Sequence, residues 1–235
     1  MAIDTSFDFR TDSFGKNADP DAVSPTLRRY HQLLWSKSLP GGSMFDLSIN
    51  TPGVYLHHQS AVGEFFLSSD TVIPTFTLWP AMKPITGQLT ESENEAFRTI
   101  QYTIGGMMVW PGNRIDSMPT INQARGLHPR IKDRMDLTLE CVRRHYLGQV
   151  SPLTAALARY NDFFALFEDF SGYVTFFLLQ DMLADDQRAV DFFMPFGDFK
   201  TPAVPKDVDA YRSYRQRSID FIEARNQRID QLATT

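Results

Sequence analysis

Ten of the 19 phenylalanines fall between Phe163 and Phe199, in the runs "NDFFALFEDF", "TFFLLQDM" and "VDFFMPFGDF". A chain this dense in aromatics must bury most of them, and their helical spacing points to a helical core. The alternative is that they line a pocket for an aromatic ligand. A length of 235 residues and 43% hydrophobic content are enough for a sizeable interior.

The texture differs upstream. Residues 43–79 hold short apolar or alternating runs, "SMFDLSI", "VYLHHQ" and "EFFLSSDTVI", punctuated by Pro52, Gly53, Gly63 and Pro74, which is the pattern of strands and turns. "MMVWPGN" is a buried strand or extended segment ending in a turn. Ser24–Pro25 and Ser151–Pro152 place an amide acceptor and a first-turn proline at two helix starts. Thr90 and Glu93 have capping-box spacing, with Gly105–Gly106 as the stop. Residues 1–21 read as an irregular arm docked through Phe7, Phe9 and Phe14. After the hinge "TPAVPKD", a helix over 207–232 carries Tyr211, Tyr214, Phe221, Ile222, Ile229 and Leu232 on one side. It packs on the body or offers a partner surface, and Arg225 on that side calls for a carboxylate. The expected fold is α+β, with a small, mostly antiparallel sheet in the N-terminal half and a helical C-terminal half. One domain over 1–235 is expected, with a possible subdivision near 150.

The formal charge of −5 disfavours extended nucleic acid. "GYVTFFLLQDML" is too short to cross a bilayer and carries Asp181, and the first residues lack a secretory pattern. A cytosolic protein without a membrane anchor is expected. The single cysteine, Cys141, excludes an internal disulfide and multi-cysteine zinc modules. No phosphate-binding glycine loop, dinucleotide fingerprint, H-E-x-x-H or nucleophile elbow occurs, and no cofactor is implied.

The segment "RMDLTLECVRRHYLG" holds the sharpest question. At about 100° per residue, Arg134, Thr138 and His145 share the apolar side with Met135, Leu139, Val142 and Tyr146. Asp136 and Glu140 fall on the solvated side. A buried arginine must be paired. The bland reading is a salt bridge, to an aspartate of the N-terminal arm; the functional one is an anion site. Residues 112–148 carry seven Lys/Arg against four Asp/Glu, and arginine suits phosphate or carboxylate. The candidate ligand-binding set is Asn113, Arg114, Asn122, Arg125, Arg130 and Arg134, with His128 or His145 as proton carrier.

Other candidates read as structural. His57 and His58 point to opposite strand faces and cannot share a metal. His31 reads as a core histidine, and Cys141 beside His145 as an inert thiol. Asp181 and Asp185–Asp186 could pair as carboxylates, although Asp185–Asp186 reads as a helix cap.

The runs "YTIGGMMVWPGNRID", "TINQARG", "IKDRMDLTLECVRRHYLG" and "GYVTFFLLQDM" resemble an uncharacterised bacterial protein family over nearly the whole chain. The resemblance implies a bacterial cytosolic protein and brings no catalytic residues. Two functions stay open. One is an enzyme on a phosphate-bearing small molecule, nucleotide or RNA end. The other is an interaction protein working through 207–232, for instance half of a two-gene stress or phage-defence module.

Overall fold

A computed structural model describes residues 3–14, 18–184 and 188–234. Asp185 and Asp186 lie outside these residues. The N-terminal arm is held by one deep anchor. Phe9, in a short 3-10 turn, is fully buried and meets Tyr30 edge-on at 5.8 Å. Phe7 packs partly, whereas Phe14 is 83% exposed and does not dock as expected. The arm also clamps a helix start. Asp12 accepts from Ser24 Oγ at 2.6 Å and from the Thr26 amide at 3.1 Å. Ser24 in turn caps α2, Pro25–Trp35, which follows the single turn α1, Pro20–Val23.

Two short strands, β1 (Lys37–Ser38) and β2 (Met44–Phe45), pair antiparallel. A second sheet has the order β3 (Leu56–Ser60), β4 (Gly63–Thr71), β5 (Met107–Pro111), antiparallel throughout. Its central strand, β4, thus faces neighbours on both sides. His57 and His58 sit on this sheet in structural roles: His57 contacts Glu64 and Thr51, and His58 stacks on Phe45 at 4.3 Å.

Between β4 and β5 lie α3, Lys83–Thr86, and α4, Glu91–Gln101. Both halves of the Thr90–Glu93 capping box form, but α4 ends four residues before Gly105. The glycines serve close packing instead: a Cβ on Gly106 would come within 2.1 Å of the Gln101 carbonyl. Then follow α5 (Ile121–Leu127), α6 (Met135–Tyr146), α7 (Thr154–Ala158), α8 (Asn161–Ala165) and α9 (Phe170–Phe177). The Ser151–Pro152 start slips by two residues, because Ser151 and Thr154 bond to each other and form a turn before α7. The architecture is α+β, with small antiparallel sheets first and helices after.

Phe163, Phe164, Phe167, Phe176 and Phe177 are buried together with Trp35 and Tyr173. Much of the aromatic crowding is therefore core, although Phe170, Phe192 and Phe196 are only partly covered. The last helix, α10, Val208–Thr234, lays Tyr211, Tyr214, Phe221, Ile222, Arg225 and Ile229 against its own chain. Tyr211 and Tyr214 donate to the Thr75 and Pro74 carbonyls. Leu232 leaves this stripe and is 52% exposed. Among the described residues no helix is long and apolar enough to cross a membrane.

Candidate functional site

The basic segment resolves into buried and exposed parts. Arg125 reaches inward from α5 and is fully buried. Its Nη1 donates to Asp70 Oδ2 on β4 at 2.6 Å, to the Thr71 carbonyl at 3.2 Å and toward Asn122 at 3.4 Å. Nη2 takes the carbonyls of Val72 and Asp133, and Nε takes Thr138 Oγ1. Every nitrogen of the guanidinium is used. A buried cation with its donors satisfied is a structural clamp between α5, β4 and the start of α6.

Arg134 is saturated in another way. It stands at the N-cap of α6 and grips the buried Asp136 two residues on through Nε and Nη2. Nη1 donates to the Ala203 carbonyl at 3.3 Å. The pairing thus exists, but with its own helix rather than with the N-terminal arm. Asp136 and Glu140, expected in solvent, are buried; Glu140 draws in Arg143 and Arg144. Tertiary packing overrides the wheel here because each carboxylate has its own cation, Arg134 buried with Asp136 and Arg143 and Arg144 half-buried over Glu140. The third buried arginine, Arg225 on α10, holds carbonyls rather than the expected carboxylate: those of Gly105, Met107 and Phe177.

The rest of the predicted set is dispersed. Arg114 and Arg130 are exposed, as is Asn113, whose carbonyl accepts from Tyr160. Asn122 is half-buried against Arg125. His128 lies before α6, held below its ordinary pKa by burial and by Arg130. His145 lies near the far end of α6, against Phe164, and burial lowers its pKa as well. The length of α6 separates the two histidines. The Cys141 thiol is buried and pushed up to about 12, so it is no thiolate at neutral pH.

Sequence reasoning missed a carboxyl pair beside Arg125. Asp21, on α1, hydrogen-bonds Asp70 and leaves its buried Oδ1 without a partner. Two carboxyls in such contact must share a proton. Burial, then the Asp70 charge, holds Asp21 well above the carboxylate range. Burial pushes Asp70 up to about 6 against the pull of Arg125.

Also missed was a cleft of about 810 Å³ between β1, α9 and the end of α10. Leu39, Phe176, Leu178 and Leu232 supply apolar surface, and Lys37 and Gln180 supply polar groups. The lysine is placed by the way α9 ends. Leu178 adopts the left-handed conformation, φ 56°, and stops the helix. Its terminal carbonyls need donors, and Lys37 Nζ takes that of Phe176 at 2.5 Å while Arg225 takes that of Phe177. The amine also lies over the Phe176 and Trp35 rings, at 4.6 and 5.0 Å. Burial, then the Arg225 charge, lowers its pKa to about 8. Gln180 begins a 3-10 turn, and its Oε1 is buried with no hydrogen-bond partner. At the mouth, Arg228 grips Asp181 with bonds of 2.5 and 2.8 Å. Asp181 is therefore committed to an ion pair. Among the described residues no cluster of metal-ligating side chains exists.

A family model described as a family of unknown function (DUF6994) matches residues 3–229, and the chain belongs to that family. No curated protein and no solved structure matches it.

Proposed function

We propose that this protein binds a small organic molecule in the cleft between β1, α9 and α10. The observation that carries the reading is one of unequal satisfaction. The buried arginines of the basic segment have their donors occupied, whereas the cleft is lined by Gln180, whose Oε1 is buried and unpartnered, and by Lys37, whose amine burial holds below its ordinary pKa. Such a concavity with convergent polar groups and a perturbed titratable residue is the usual form of a ligand site. The ligand has an apolar or aromatic body for Leu39, Phe176 and Leu178 and a hydrogen-bond donor for Gln180. Fragment titration followed by amide NMR tests it. Shifts confined to residues 37–40 and 172–180 support the cleft, and a cleft left silent by aromatic hydroxyl fragments refutes it.

A phosphate-bearing ligand at the 113–130 loop is the second reading. It is favoured by the exposure of Arg114 and Arg130, whose guanidinium groups form no ion pair among the described residues. Arg125 and Arg134 would then only stiffen the scaffold. Were this second reading the right one, phosphate would raise the melting temperature of the native protein by linkage, and the Arg114→Ala, Arg130→Ala double variant would lose that response. An interaction role for 207–232 would have to use the polar outer side of α10, since its apolar side is covered.

A further inference from the structure

Lys37 and Gln180 line the same cleft, and together they define the chemistry of its occupant more narrowly. We infer that Lys37 is a Schiff-base-forming residue that condenses with a small aldehyde or ketone whose body carries a hydroxyl or amide N–H for Gln180. The inference rests on the cleft being the ligand site.

The Phe176 carbonyl and the two ring faces favour the ammonium form, but two other features of the surroundings disfavour it. No carboxylate lies within ion-pair distance of it among the described residues, although Glu168 and Asp169 line other parts of the cleft. Arg225, whose guanidinium lies over the same Trp35 ring at 5.7 Å, is a fixed positive neighbour. Desolvation and an adjacent cation are the two environments that make a lysine nucleophilic. With a pKa of about 8, roughly a tenth of the amine is neutral at pH 7, against less than a thousandth for an ordinary lysine.

The step balances without a redox partner. The neutral nitrogen attacks the carbonyl carbon, and the π pair moves to oxygen, which takes a proton as nitrogen loses one. The carbinolamine hydroxyl then takes a proton from solvent and leaves as water while the nitrogen lone pair closes the C=N bond, and the nitrogen returns its remaining proton to solvent, so the net step releases one water. The bond to Phe176 fixes the amine at the cleft wall before attack, which is the positioning part of the catalysis.

The test uses the full chain with 3-hydroxybenzaldehyde as carbonyl probe, cyanoborohydride as trap, and peptide mass mapping. The expected result is adduct formation at Lys37 about tenfold faster than at Lys16, Lys83, Lys132, Lys200 or Lys206 after allowing for the lower basicity of the amine. Its rate should rise with a midpoint near pH 8. Lys37→Arg keeps a donor for the Phe176 carbonyl and should give no adduct there. Adducts spread evenly over the lysines would overturn the inference. 3-Hydroxybenzyl alcohol, which cannot condense, separates the two layers. If it shifts the cleft amides while Lys37 stays unlabelled, the Schiff base fails and the cleft stands. If it shifts nothing and Lys37 stays unlabelled, both fail.

Discussion

The arginine-rich interior and the Lys37 cleft handle buried charge in opposite ways. Arg125, Arg134 and Arg225 are fully or almost fully buried, yet carbonyls and carboxylates of the same chain occupy their donors. Lys37 has one carbonyl and two ring faces, and Gln180 Oε1, of a residue lining the same cleft, has no hydrogen-bond partner. The difference teaches that burial of a charge is a poor sign of function by itself. Unmet hydrogen-bonding capacity next to open volume is the better one, because a ligand can satisfy it and folding has not.

The comparison predicts large stability losses on the arginine side. Arg134→Met leaves Asp136 buried with, among the described residues, only the Phe193 amide as donor. It should cost about 3–5 kcal/mol in chemical denaturation, and neutralising Asp136 as well should recover much of it. A loss under about 1 kcal/mol would mean that the pair is not worth what its burial implies. Arg225→Met should cost somewhat less, roughly 2–3 kcal/mol, since it strands neutral carbonyls and no charge. If it cost more than Arg134→Met, the ranking of charge over carbonyl would be reversed.

A smaller effect separates the carboxyl pair from both regions. Asp70 has a folded pKa of about 6 against an ordinary 3.8, so the fold prefers its protonated form. That contribution is complete below the ordinary value and disappears as pH rises through about 6. Asp21→Asn removes a carboxyl that burial, then the Asp70 charge, holds well above the ordinary range. Relative to wild type it should therefore gain stability as pH rises from the ordinary carboxylate range toward neutrality. His31, held near 3 by burial, loses stability as pH falls in the same window, but it does so in both proteins and cancels in the difference. Parallel curves would show that the two carboxyls do not share a proton.

The smallest effects belong to the cleft. Gln180→Leu removes a buried acceptor that has no partner, and its stability should be unchanged or up to about 1 kcal/mol higher. Fragment binding should weaken at the same time. A clear destabilisation would mean that Gln180 is structural, and would erase the contrast between the regions.

Legibility from sequence follows the same division. The sheet, the Thr90–Glu93 box, the Ser24 cap and the helical C-terminal half were readable because period, turn residues and caps are local. The arginine of "RMDLTLE" was readable as a buried charge needing a partner. Its partner was placed wrongly because the wheel put Asp136 in solvent, and only tertiary packing brings it inside. The cleft was not readable. Lys37 stands between Trp35 and Leu39, a lone cation in apolar company, which is a faint signal at best. Its depressed pKa comes from burial and then from Arg225, 188 positions away in sequence, and Gln180 gains meaning only from what fails to reach it. The Asp21–Asp70 contact joins an N-terminal turn to a central strand, and no periodicity records that.

The central claim is that ligand binding belongs to the cleft and the basic segment is scaffold. Amide NMR of the full chain, titrated in parallel with 3-hydroxybenzyl alcohol and with inorganic phosphate, tests it most directly. The account predicts that the alcohol moves signals of residues 37–40 and 172–180, and that neither compound moves those of 121–138. Phosphate-induced shifts across 121–138, with the cleft silent to the alcohol, would contradict it.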